Sequence, residues 1–184
     1  MNNRNTLVRT LHDVGAGIWF GGALMGAIGL NGASKAVADP LDRTPVASAG
    51  WARWAPVSAA AIGAHLIGGI GLLAANRGRV KEQAGVSTNT AIKSLLTVAA
   101  LGTTAYSGVL GATVAKAGKV PAMGGVTPTT GTPDDVAAAQ QKLRALQWVT
   151  PALTGMVVAL GAQQGEQQRP LQVLRGVAAA KLGR

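Results

Sequence analysis

A stretch of 21 residues without a charged side chain, from Val14 to Ser34, follows a His12–Asp13 pair near the start of the chain. As a helix, that length crosses about 30 Å of hydrocarbon. The surrounding run LHDVGAGIWFGGALMGAIGL, Leu11 to Leu30, carries Gly at positions 15, 17, 21, 22, 26 and 29. In a water-exposed helix each Gly costs roughly 1 kcal/mol relative to Ala. Between helices in lipid, Gly instead lets a second backbone come close. The run points to an integral membrane protein of packed helices.

Three further apolar runs follow. Spans are expected over about residues 7–34, 54–76, 94–115 and 145–165, in one domain covering 1–184. Residues 35–50 read as a polar connection punctuated by Asp39-Pro40, with Pro56 in the first turns of the second span. Trp51, Trp54 and Trp148 have the positions of interfacial anchors. Lys93 is expected at the mouth of the third span, where Thr97, Thr104, Ser107 and Gly111 share one face. Residues 116–131, KAGKVPAMGGVTPTTG, read as an aperiodic loop.

Thr132-Pro133-Asp134-Asp135 then reads as a helix start. Thr caps, Pro fits the first helical position, and two Asp oppose the helix dipole. The polar AAAQQKLRALQ that follows carries the fourth helix beyond the bilayer. Pro151 is expected to kink that helix, with Thr150 or Thr154 helping to satisfy the freed carbonyl. The tail, 166–184, is basic, and an interfacial helix on anionic lipid and a solvated tail are both open to it. The expected fold class is all-α: a four-helix membrane bundle with a long fourth helix and, as one option, a C-terminal interfacial helix.

Only 13% of residues are charged, against about 25% in soluble domains. The formal charge is +10, but the 17 Lys and Arg stand in short segments between apolar runs. Nucleic-acid binding calls for a basic face with stacking aromatics, so it is not expected. The partner implied is the lipid bilayer. An A-x-A-like site at Ala36-Val37-Ala38 invites a signal-peptide reading, but the apolar run exceeds the 7–15 residues of an ordinary signal core. It is read as a retained span. Four spans put Arg4, Arg9, Arg77, Arg79, Lys81, Lys93, Arg169, Arg175, Lys181 and Arg184 on one side, ten against seven on the other. Both termini are therefore expected in the cytoplasm of a bacterial-type plasma membrane.

His12 and His65 are the candidates for ligand chemistry, because polar groups inside a membrane are costly. Both are expected to serve chiefly as structural hydrogen-bonding groups. Their depths argue against one haem shared by the two: with Gly21 at mid-span, His12 lies about 13 Å from the midplane, and His65 close to it. The helix-packing face is assigned to Gly17, Gly21, Gly22, Gly26 and Gly29, in overlapping small-xxx-small pairs. With no Cys, no phosphate loop, no zinc spacing and no intramembrane carboxylate pair, no enzyme is expected. The reading is a structural or accessory protein without a cofactor, associating with itself or a larger membrane complex.

The string Leu11-His12-Asp13-Val14-Gly15-Ala16-Gly17-Ile18-Trp19-Phe20-Gly21-Gly22 resembles the first-helix pattern of copper-resistance-protein-D-like membrane proteins. There a His is followed seven residues later by Trp and a Gly pair, and His65 in AHLIGG matches a second-helix His. The resemblance implies the alternative function, haem or copper handling through His65, with or without His12.

Overall fold

The computed structural model of the chain describes residues 5–75 and 86–166. The described residues are almost all helical. α1 (Thr6–Met25), a π-helical turn (Gly26–Leu30) and α2 (Asn31–Lys35) run on as one span. α3 (Arg43–Ala75), α4 (Val86–Lys116) and α5 (Asp134–Glu166) follow, with a small hairpin, β1 (Ala122–Gly124) and β2 (Thr127–Pro128), before α5. Among the described residues, four helices are long and apolar enough to cross a membrane. α1 packs along α3 and α5, and α4 packs along α5, while α3 touches α4 over a smaller area.

The third and fourth helices begin earlier than their apolar runs, as the capping sequence at Thr132–Asp135 foretold for α5. The second helix departs further from expectation. It starts at Arg43, so the polar connection shrinks to residues 36–42 and Pro56 stands deep inside the helix. Pro45, in the first turn, costs no intrahelical bond there, and the Ala-rich residues behind it are strong helix formers. At 33 residues each, α3 and α5 are about 50 Å long and overshoot a bilayer core by some 20 Å. Pro151 does lie within α5. However, Thr154 Oγ1 donates to the carbonyl of Thr150, and Thr150 Oγ1 to Thr103, so neither serves the carbonyl of Gln147 that the proline frees. Arg4, the Arg77, Arg79 and Lys81 segment and the tail 167–184 lie outside the described residues.

The sequence 116–131 is not an irregular loop. It folds as the hairpin and closes one end of the helices. Gly125 N–H donates to Ser34 Oγ, Thr44 Oγ1 to the carbonyl of Gly118, and Arg43 to those of Val37 and Ala122. Gln140, fully buried, donates to the carbonyls of Gly124 and Gly125. Beneath the hairpin Leu110, Val114, Val120, Val136 and Ala139 form an apolar cluster. Two glycines let the hairpin settle: a Cβ on Gly125 would meet Ala47, and one on Gly124 the Lys35 stem. On the rim, Asp42 hydrogen-bonds the fully exposed Lys119 and holds its ammonium above its usual range. That pair is screened by solvent, so Lys119→Gln should leave the melting temperature unchanged.

Asn31, just after the π turn, ties this end to α1, α3 and α5. Its own N–H bonds the carbonyl of Gly26, five residues back, which is the π geometry. Its side chain donates to Gln147 Oε1 and accepts from Trp51 Nε1, and the residue is 3% exposed. Asn31→Leu would strand both partners. A loss of about 1–3 kcal/mol is expected, read as a lower melting temperature in detergent.

Large apolar side chains mostly point outward: Ile67, Ile70, Leu95, Val98 and Val109 are all more than 60% exposed. The interior is small or polar, with Ala16, Ala61, Ala100, His12, His65, Thr97 and Thr154 buried.

Candidate functional site

Two buried polar groups, His12 and His65, meet where α1 packs along α3. Each helix carries the sequence His-x-x-Gly, at His12–Gly15 and His65–Gly68. The helices run antiparallel, and the two motifs face each other across a local two-fold. A Cβ on Gly15 would lie 2.5 Å from the carbonyl oxygen of Ala61 and 2.7 Å from the nitrogen of His65. A Cβ on Gly68 would lie 2.5 Å from the carbonyl oxygen of Val8 and from the nitrogen of His12. All four distances are shorter than real Cβ atoms tolerate, so only Gly permits this approach.

That approach brings the imidazoles together. The rings stack with centroids 4.1 Å apart and planes inclined by 19°. His12 Nδ1 lies 2.9 Å from the carbonyl oxygen of His65, and His65 Nδ1 lies 3.0 Å from that of His12. A carbonyl only accepts, so both Nδ1 atoms carry the proton and both Nε2 atoms keep a lone pair. Trp19 closes the site edge-on to His65, at 6.2 Å, and its indole N–H donates to Thr104 Oγ1 on α4. Each such interhelical bond contributes roughly 0.6–2 kcal/mol in a membrane setting.

The expected difference in depth between the two histidines is overturned. It placed the middle of the second span too late. With α3 running from Arg43, its middle falls near residue 59, and His65 stands about six residues beyond. His12 stands about nine before the middle of the first span, and antiparallel packing brings those offsets to one level. Lys93 shares that level. It lies within α4, 8% exposed, against Gly161 of α5, where a Cβ would come within 3.2 Å of Nζ. Asp13 and Arg9 are the charges that act on it. One turn earlier, Asn89 donates to Gln163 Oε1, and its own Oδ1 has no hydrogen-bond partner among the described residues.

Two lone pairs on stacked rings do not make a chelate. A metal bonds imidazole in the ring plane at about 2 Å. Two nearly parallel planes some 4 Å apart do not meet at such a point. Nor does a haem fit between rings already in contact. Among the described residues, no three His, Asp or Glu come together in a way that could hold a metal ion. The reciprocal bonds and the ring stack join α1 to α3.

The other assigned residues divide. Gly22 and Gly26 do lie in the α1–α3 seam, but they receive the rings of Trp54 and Trp51 rather than a backbone. Those two indoles are accordingly half-buried packing groups, while Trp148 is 52% exposed. Gly29 faces the Met25 side chain of its own helix, and a Cβ on Gly17 or Gly21 would meet nothing within 4 Å among the described residues. The close backbone contacts belong to Gly15 and Gly68, which the small-xxx-small pattern passed over. The spacing shared by the two His-x-x-Gly motifs was the signal for them. Comparison with protein-family models, curated proteins and solved structures finds no match.

Proposed function

We propose that this chain is a four-span integral membrane protein of a bacterial-type plasma membrane. Its helices form a bundle locked by the His12–His65 clasp, and its role is structural or accessory within an assembly. The observation that carries the reading is the inverted distribution of side chains. Large aliphatic groups face outward along all four helices, while His, Thr, Asn and Lys are buried. A water-soluble fold of this kind would expose an apolar surface far beyond the few hundred Å² usual for monomers. Fractionation tests it: the protein should stay with membranes through alkaline carbonate and leave only with detergent. Recovery in the soluble fraction would defeat the reading.

Association is supported by the part of the Gly pattern that the chain does not use. Gly17 and Gly21, four residues apart on α1, are open to the outside beside the exposed Val14 and Ile18. Such a stripe accommodates another helix. Gly17→Leu with Gly21→Leu should therefore dissociate the assembly on size exclusion in mild detergent while the monomer keeps its melting temperature. An unchanged elution volume would place this face against lipid.

For orientation, the basic bias puts the hairpin outside and both termini inside. The chain has no Cys, so a single Thr130→Cys at the exposed hairpin end gives a clean label. It should react with an impermeant maleimide in intact cells. Labelling only after lysis would reverse the topology.

A further inference from the structure

We infer that the cleft between the π turn of α1, the hairpin and α5 binds the headgroup of an anionic phospholipid; this rests on the membrane reading above. The cleft holds about 220 Å³. That is below the roughly 300–1,000 Å³ of sites for drug-sized ligands and matches a small polar group. Lys35 and Arg144 line it, with no acidic residue in its lining. Both side chains are exposed, and among the described residues neither has a hydrogen bond or ion pair. Two unpaired cations around one small cleft repel each other unless an anion lies between them. The Lys35 stem rests over Gly124 of the hairpin, which fixes its approach.

The cleft also sits at the right level. Lys35 ends the first span, and Arg144 immediately precedes the apolar part of α5, so both stand where hydrocarbon gives way to headgroups. Below them the wall turns apolar: Ile28 is 60% exposed and Trp148 52% exposed. An interfacial Trp beside two basic residues suits a molecule with a phosphate above and an acyl chain below. A free phosphate has no use for that wall. Phosphate and acyl chain on one molecule define a phospholipid with a net negative headgroup.

The test uses the full-length protein, delipidated in mild detergent and titrated with phosphatidylglycerol or phosphatidylcholine under native mass spectrometry. Phosphatidylglycerol should bind about thirtyfold more tightly, the scale set by two basic groups at about 1 kcal/mol each. Lys35→Gln with Arg144→Gln should bring the ratio near one, with melting temperature and phosphatidylcholine binding retained. Arg53→Gln with Lys116→Gln, which removes two exposed cations outside the cleft, should keep the preference. Three outcomes overturn the proposal. One is equal binding of the two lipids by the unaltered protein, another is a preference that survives loss of Lys35 and Arg144, and the third is stabilisation by inorganic phosphate equal to that by phosphatidylglycerol. A chain that needs no detergent would instead fail the membrane reading at extraction, before any lipid is added.

Discussion

Gly15→Ala and Gly68→Ala should each destabilise the protein by about 3 kcal/mol, while Gly17→Ala and Gly21→Ala leave it unchanged or slightly more stable. The four substitutions add the same methyl group to helical glycines, so helix propensity favours Ala in every case. What differs is the space. At Gly15 and Gly68 the methyl meets the backbone of the opposing helix at 2.5 Å, and a backbone cannot rotate aside. The helices must part, which stretches both carbonyl bonds of the histidine clasp. Overpacking of this kind costs typically 1–3 kcal/mol and sometimes more. At Gly17 and Gly21 the methyl meets nothing within 4 Å among the described residues. Thermal denaturation of the four variants in one detergent checks the contrast. Equal melting temperatures across the set would mean that α1 and α3 do not approach at these glycines.

His65→Ala is the second large effect, with an expected loss of about 2–4 kcal/mol. Its side chain is 2% exposed, so truncation leaves a void in the seam as well as removing a hydrogen bond and the stack on His12. His65→Asn should recover part of the loss, because the Asn amide nitrogen occupies nearly the place of Nδ1 and can still donate to the His12 carbonyl. Because the histidines act on each other, His12→Ala and His65→Ala should not add. A coupling of about 1–2 kcal/mol is expected in the double-mutant cycle. Strict additivity would show two independent side chains.

Much of the architecture was legible because hydropathy and caps act locally. The 21 uncharged residues from Val14 to Ser34 and the Thr-Pro-Asp-Asp start of α5 each encode their outcome within a few turns. The start of α3 was hidden, because Arg43 and Pro45, following Asp42, look like a polar connection. What makes them helical is their setting under the hairpin, where Arg43 and Thr44 find carbonyls from distant residues. The hairpin was hidden for the same reason: its partners, Ser34 and Gln140, lie 91 and about 15 residues away. The histidine clasp depended on that one boundary. Starting α3 at Trp54 separated the two rings in depth, and starting it at Arg43 stacks them. The Gly pattern showed that close packing occurs, yet not which glycines meet a backbone. That choice depends on register between helices, and the matching His-x-x-Gly spacing was its trace in the sequence.

The clasp makes a statement about protons that can be read directly. Protein labelled with ¹⁵N at histidine, in detergent at neutral pH, gives for each ring the pattern of nitrogen–proton correlations that separates the two tautomers. Both His12 and His65 should be protonated at Nδ1 and bare at Nε2, with the Nδ1 protons shifted downfield by their carbonyl acceptors. A proton on Nε2 of either ring, with Nδ1 bare, would contradict the reciprocal bonds and with them the joining of α1 to α3 at this site.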